Sequence, residues 1–314
     1  GVGWGRVRPC PGIRWGMQEA HPGRRLRELM DRSAPVAAPG CFNGLVGMAA
    51  ADAGFEAVYV SGGATSVAAG VPDVGLLGLE HFCRVIREVA DGSRLPVLAD
   101  ADTGFGEAEM VRRTVIEYHR AGAAGLHIED QVFPKRCGHL DGKTLIPVED
   151  AAAKVQWAAE AARDCSGGEF IVCARTDAYG VEGFEAAVER SVAYVEAGAD
   201  MIFPEGFKTE DDLARFAEAL RGRAGRRVYL LGNMTEFGKT PLIPLARWGE
   251  LGYDLVIYPV TMLRVAMGAV TRAMRQLREE GTAAGFVEGM QTREELYRMV
   301  RYTPGVEWKF MGER

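Results

Sequence analysis

Short apolar runs recur along the chain, each followed by a longer stretch with helical spacing. The runs are Val36-Ala37-Ala38-Pro39, Ala57-Val58-Tyr59-Val60, Pro96-Val97-Leu98-Ala99 and Gly125-Leu126-His127-Ile128. They continue with Phe170-Ile171-Val172-Cys173, Met201-Ile202-Phe203-Pro204, Val228-Tyr229-Leu230-Leu231 and Leu255-Val256-Ile257-Tyr258. Several are nearly continuous in apolar residues rather than alternating, the pattern of parallel strands buried on both faces. Small-residue pairs such as Ala121-Gly122-Ala123 and Ala197-Gly198-Ala199 precede many runs, as helix C-caps leading into the next strand. Eight such units in 314 residues predict a (β/α)8 barrel. A doubly wound sheet competes with it, but Pro39-Gly40-Cys41-Phe42-Asn43-Gly44 lacks the G-x-G-x-x-G spacing of its phosphate turn.

The two ends depart from this rhythm. Residues 1–24 are rich in Gly, Arg, Trp and Pro, without periodicity and without the apolar core of a secretory signal. They read as a disordered extension, leaving 25–314 as one domain. Near the C-terminus, Val265, Ala269, Val270, Ala273, Met274 and Leu277 form a helical apolar stripe that ends at Gly281, and Thr292 with Glu295 fits a capping box for a further helix. These extra helices either cover the barrel or pack on another subunit.

Composition narrows the function classes. Hydrophobic residues make up 47% and charged residues 25%, the balance of a soluble globular protein. A net charge of -6 with no basic stripe argues against nucleic-acid binding. No apolar run approaches the ~18 residues of a membrane span. Cys10, Cys41, Cys83, Cys137, Cys165 and Cys173 include no C-x-x-C pair, which fits reduced thiols in a cytoplasmic protein.

In a barrel the loops after the strands build the active site, so the polar residues were read there. Ser61-Gly62-Gly63 follows the second strand, either as a backbone nest for a carboxylate or as an ordinary turn. Asp100 and Asp102 close the third strand on one face, in Asp100-Ala101-Asp102-Thr103-Gly104-Phe105-Gly106. Such a pair repels unless a proton or cation lies between, and few hard oxygen ligands favour Mg²⁺, with Mn²⁺ as a substitute. Helix capping is the plainer alternative. His127 and Glu129 share a face of the fourth strand, where Glu129 can act on a metal through water and His127 alone reads as a core histidine. The loop Lys135-Arg136-Cys137-Gly138-His139 sets a thiol among cations, able to exchange a proton with a carboxylate substrate or simply a loop cysteine. Arg175 ends the fifth strand, as a bidentate carboxylate binder or a structural ion pair. Glu205, Asn233-Met234-Thr235-Glu236, Arg264 and Arg293 complete the set. Many cations beside one divalent metal imply a small substrate with two or three carboxylates.

Together these motifs, with Asn233-Met234-Thr235-Glu236-Phe237-Gly238 and Ala174-Arg175-Thr176-Asp177, closely resemble the isocitrate lyase and phosphoenolpyruvate mutase superfamily over about residues 25 to 303. The nearest resemblance is to its branch that cleaves 2-methylisocitrate to pyruvate and succinate. The resemblance implies Mg²⁺ on Asp100 and Asp102, with Glu129 behind water and Asp73 as a further candidate ligand. It implies Ser61, Gly62, Gly63, Gly138, Arg175 and Glu205 on the pyruvate half, and Asn233, Met234, Thr235, Arg264 and Arg293 on the succinate half. Cys137 would be the catalytic acid, with Lys135 and His139 beside it, and Tyr59 or a metal-bound hydroxide the base. A homotetramer with helices exchanged between subunits is also implied. Leu140–Pro147 and Ala64-Thr65-Ser66 look more like sister branches acting on 2,3-dimethylmalate, oxaloacetate or carboxyphosphonoenolpyruvate, which keeps such a substrate as the alternative. A non-catalytic barrel that binds a dicarboxylate is the remaining reading.

Overall fold

The computed structural model of the chain describes residues 20–136 and 142–308. Its first helix, α1 (Pro22–Met30), starts earlier than the sequence reading allowed. Pro22 occupies the first helical turn, and the His21 ring accepts a hydrogen bond from Gly23 N at 3.0 Å. A Cβ on Gly23 would meet the Ala124 carbonyl at 2.8 Å, so this turn is seated against the barrel. Residues 22–24 therefore belong to the domain and not to the extension; residues 1–19 lie outside the described residues.

Strands and helices then alternate as the apolar runs predict: β1 (Val36–Pro39), α2 (Gly44–Asp52), β2 (Val58–Val60), α3 (Gly62–Ala68), α4 (Leu79–Ser93) and β3 (Val97–Asp100). Next come α5 (Ala108–Arg120), β4 (Gly125–Glu129), α6 (Val148–Ser166), β5 (Ile171–Thr176), α7 (Phe184–Glu196) and β6 (Met201–Pro204). The series continues with α8 (Glu210–Arg223), β7 (Tyr229–Asn233), α9 (Leu245–Glu250), β8 (Leu255–Tyr258), α10 (Thr261–Glu280) and α11 (Arg293–Met299). All ladder pairs are parallel, in the order β1-β8-β7-β6-β5-β4-β3-β2. Gly40 bridges Tyr59, and Cys41 N donates to Tyr59 O at 2.7 Å, which brings β1 against β2 and closes the ring. The (β/α)8 barrel is the fold found.

Two apolar layers explain why the runs do not alternate. Tyr59, Leu98, Ile171, Cys173, Met201, Phe203, Leu231, Leu255 and Ile257 fill the interior, and Leu26, Leu29 and Met30 of α1 plug its lower end. Val58, Val60, Val97, Ala99, Leu126 and Val172 face outward onto Phe82, Ile86, Val115 and Tyr118 of the surrounding helices. Each strand is thus buried twice, at about 1.5–3 kcal/mol for each large aliphatic side chain removed from water.

Helix α10 does not cover this barrel. Only Leu263 of α10 is buried, while Val265 is 66%, Met274 65% and Leu277 48% exposed. Gly281 caps α10 at φ 67° and the Thr292/Glu295 capping box forms, both as the sequence predicts. Cys41, Cys83, Cys165 and Cys173 are free thiols. Among the described residues no helix is long and apolar enough to cross a membrane.

Candidate active site

Four strands run past their apolar stretches: β3 to Asp100, β4 to Glu129, β5 to Thr176 and β7 to Asn233. Those polar ends meet at one mouth. The ladder sets Asp100 beside His127 and Glu129 beside Arg175.

Asp100 is 4% exposed and held from two sides. Its Oδ2 accepts Gly62 N at 3.0 Å and its Oδ1 accepts Asp102 N at 2.9 Å. A Cβ on Gly62 would lie 2.5 Å from Asp100 Oδ2, so glycine is required for the approach. Asp102 has φ 45°, strained for a non-glycine, and its Oδ1 lies 2.7 Å from Lys135 Nζ. Lys135, buried, also bonds Asp73, tying both carboxylates to the fourth loop. Burial and then the neighbouring Asp100 charge push the Asp102 carboxyl up to about 6. Burial works against Asp100 as well, but His127, Lys135 and Arg175 prevail and keep it below the usual carboxylate range.

Glu129 is buried, neither of its oxygens has a hydrogen-bond partner, and Oε2 lies 3.1 Å from Arg175 Nη1 in an ion pair. Burial raises its carboxyl well above the ordinary range. His127 joins Tyr59 OH through Nε2 at 2.7 Å, and burial pushes the imidazole down to about 4, so it is neutral. Burial, aided by Asp100, raises the Tyr59 phenol well above 10. A neutral phenol donates a proton more readily than it takes one, so its surroundings do not support the reading of Tyr59 as the base. Asp130 points to the other face, as the strand period requires, and bonds Thr176 and Tyr194.

A cavity of about 270 Å³ opens here, lined by Tyr59, Ser61, Gly63, Asp73, Asp100, Arg175, Glu205, Asn233, Thr235 and Arg264, with Phe203, Ile257, Pro259 and Val260 as an apolar wall. Ser61 caps α3, its Oγ accepting Ala64 N at 3.2 Å. Asn233 Nδ2 donates to Glu205 Oε2 at 3.0 Å. Arg264 is engaged with Glu236 through the backbone carbonyl at 2.8 Å and the carboxylate at 2.7 Å. A second cavity of about 680 Å³, bordered by Asp102, Gln131 and Phe133, adjoins it.

Three expectations fall elsewhere. Met234 is 4% exposed in the outer core, where its sulfur accepts Ile243 N at 3.1 Å, so it packs and does not line the cavity. Arg293 is exposed on α11 and is not among the residues lining either cavity. Cys137, Gly138 and His139 lie outside the described residues. Conversely, the sequence reading gave no role to Asp177, Phe203 or Ile257, while Glu236, read at the end of the seventh strand, lines the cavity. Asp177 had a usable signal, since it follows Arg175 by two on the same strand face. Phe203 and Ile257 had none, because on a strand they look like any core residue.

A buried ring of carboxylates at the C-terminal mouth of a parallel barrel, with arginines over a small cavity, is the arrangement of a barrel enzyme that acts on small carboxylates. The phosphoenolpyruvate phosphomutase family pattern matches residues 26–278, and the chain belongs to that family. It is 47% identical over 264 residues to the probable 2-methylisocitrate lyase 1 of Corynebacterium glutamicum, covering 84% of each chain. It is 46% identical over 281 residues to the 2-methylisocitrate lyase of Aeropyrum pernix, covering 90% of this chain and 88% of that one. Among solved structures it matches 2,3-dimethylmalate lyase at 36% identity and TM-score 0.81, over 89% of this chain and 91% of that one. It also matches phosphonopyruvate hydrolase in complex with oxalate and Mg²⁺ at 29% identity and TM-score 0.77, over 88% and 94%.

Proposed function

We propose that this protein is a Mg²⁺-dependent carbon–carbon lyase that cleaves 2-methylisocitrate to pyruvate and succinate. The observation that carries the metal is charge. Among the described residues, the carboxylates of Asp73, Asp100, Asp102, Glu129, Glu205, Asp177 and Glu236 stand against four cations, Lys135, Arg175, Lys143 and Arg264. A buried negative excess of this kind calls for a divalent cation. Asp102 at about 6 and the hydrogen-bond-free oxygens of Glu129 mark where it is missed most. Among the described residues no three side chains converge closely enough to hold an ion alone. Two hard carboxylate ligands, Asp100 and Asp102, suit Mg²⁺, which keeps waters and takes substrate oxygens, with Mn²⁺ as a substitute. Asp100 and Asp102 would hold it, Glu129 would act through water, and Asp73 borders the same space. When bound, the ion lowers the pKa of the substrate hydroxyl and offsets charge on the adjacent carboxylate.

The side chains supply the rest. Arg175 uses its Nε and Nη2 edge on Asp177, so its Nη1 end, facing Glu129, is the part that meets a substrate carboxylate. Arg264 at the rim serves a second carboxylate, and Asn233 and Thr235 border the space between them. Phe203 and Ile257 give a methyl group an apolar wall, which a substrate without one would leave empty. Breaking the C–C bond leaves an electron pair on the carbon next to a carboxylate. By resemblance, the Cys137 thiol donates the proton that completes succinate, with Lys135 and His139 in the same loop. Tyr59, kept neutral by burial and bonded to His127, is a donor to developing negative charge.

The stripe Val265, Val270, Met274 and Leu277 supports a homotetramer that buries α10, and reduced thiols fit a cytoplasmic protein. Light scattering of the purified chain tests the assembly. Pyruvate release from 2-methylisocitrate and 2,3-dimethylmalate, coupled to NADH oxidation by lactate dehydrogenase, and oxalate release from oxaloacetate test the activity. Metal-dependent turnover should be fastest with 2-methylisocitrate and vanish in EDTA. Faster cleavage of either competitor would replace the substrate.

A further inference from the structure

The carboxylate of Asp177 is wholly buried and receives four donors. Oδ2 accepts Arg175 Nε at 3.0 Å and Gln131 Nε2 at 3.2 Å; Oδ1 accepts Arg175 Nη2 at 3.2 Å and Lys143 Nζ at 2.7 Å. Its own backbone N–H is fixed on Asp130 at 3.0 Å, and Asp130 is held by Thr176 and Tyr194. Burial opposes its charge, but Arg175 and Lys143 prevail and bring the carboxyl down to about 2, so it is an anion throughout.

These donors come from two different parts of the site. Arg175 lines the cavity. Gln131 and Lys143 belong to the two ends of the segment that carries Lys135. Gln131 grips Arg136 through both backbone groups, accepting its N–H at 2.8 Å and donating to its carbonyl at 2.9 Å. Below that grip the ends pair: Val132 N donates to Thr144 O at 2.8 Å, Ile146 N to Asp130 O at 3.0 Å, and Gln131 bridges Leu145. A Cβ on Gly142, at φ 78°, would lie 2.9 Å from Arg136 Nη1, so one end packs over the other. Lys135, next to the gripped Arg136, reaches Asp102.

We propose that Asp177 is a positioning residue that holds the carboxylate-binding end of Arg175 and both ends of the 131–143 segment in one register. Donors from both parts meet on one anion, so the orientation of Arg175 and the placement of Lys135 are set together. Lys143 is the arm that serves the segment alone; Asp177 serves both. This rests on the lyase reading for its kinetic arm but not for its structural one.

The test compares Lys143→Met, Lys143→Arg, Asp177→Asn and the double variant Lys143→Met/Asp177→Asn. Lys143→Met should lower kcat by about tenfold or more with KM nearly unchanged, and Lys143→Arg should restore most of it. Asp177→Asn should lower kcat and raise KM, and the double variant should be no worse than Asp177→Asn alone. Tryptic cleavage after Arg136 and Lys135, followed by mass spectrometry without substrate, should quicken about tenfold or more in both single variants whose arm is cut. Independent, additive losses, or Lys143→Met with unchanged kcat and unchanged cleavage, would overturn the proposal. If Asp177→Asn fails to fold, the Lys143 pair decides alone. A wild-type protein that turns over none of the three substrates sinks the lyase reading, while the cleavage rates still decide this one.

Discussion

Asp102→Asn should stabilise the metal-free protein at neutral pH. In the folded chain the Asp102 carboxyl stands at about 6 against an ordinary 3.8, raised first by burial and then by Asp100. A pKa raised on folding contributes stability at low pH that is lost as pH rises from the unfolded value through the folded one. The difference corresponds to about 3 kcal/mol at pH 7.5, about 1.5 at pH 5 and about 0.5 at pH 4. The Lys135 ion pair is already contained in that balance, since its attraction is one of the effects that lower the carboxyl. Asparagine removes the ionisation and most of its cost. Urea unfolding in EDTA should therefore show Asp102→Asn ahead of wild type by a margin that widens from pH 4 to pH 7.5. Mg²⁺ at about a thousand times Kd should reverse the order, because ion binding stabilises only the protein that retains the pair, by about 4.1 kcal/mol, more than the margin at pH 7.5. A metal-free variant less stable than wild type at pH 7.5, or a margin that does not change with pH, would refute the like-charge account.

Gly62→Ala puts a methyl 2.5 Å from Asp100 Oδ2 and should cost about 1–3 kcal/mol while weakening metal binding, read by Mg²⁺ titration in calorimetry. His21 and His119 meet at 3.0 Å, and burial lowers both below 6.5, so folded stability is present above 6.5 and lost as pH falls. In His119→Gln, thermal unfolding between pH 7 and pH 5 should depend less on pH; an unchanged slope would exclude the pair. Ile86→Ala, in the fully buried outer layer, should cost about 2–5 kcal/mol in denaturant unfolding while the folded fraction keeps its kcat.

The barrel was legible because burial on both faces writes itself into short, unbroken apolar runs. All eight strands start within one residue of those runs. Their polar ends were legible as well: Asp100, Glu129 and Arg175 were read at strand ends and the ladder reaches each of them, while Asp102 and Asp177 lie just past the ends of β3 and β5. Those end residues are the ones that matter chemically. The Asp100/Asp102 spacing and Arg175 could be read as candidate site residues, since each breaks the apolar pattern where the fold turns to its mouth. Met234 could not be separated from its polar neighbours: sequence adjacency said site, but its side chain points into the outer core. Arg175 was weighed as carboxylate binder against structural ion pair, and it is bonded as the second while half of its guanidinium faces the cavity. No one-dimensional pattern states such a division of one side chain.

The balance of charge at the mouth also explains why so much of the site is buried before any ligand arrives. A carboxylate ring exposed to water would need no metal, because solvent would screen its repulsion. Here Asp100, Glu129 and Asp177 are 4% exposed or less, so repulsion is strong and each anion needs a specific partner. Asp177 has four, Asp100 has two backbone donors, and Glu129 has an ion pair but no hydrogen bond. The unmet demand is therefore graded across the mouth, smallest at Asp177 and largest around Asp102 and Glu129. On the proposed function, a small hard cation and the carboxylates it brings with it would lower the energy most at that end, directing the substrate's charged groups toward Arg175 and leaving its methyl for Phe203 and Ile257.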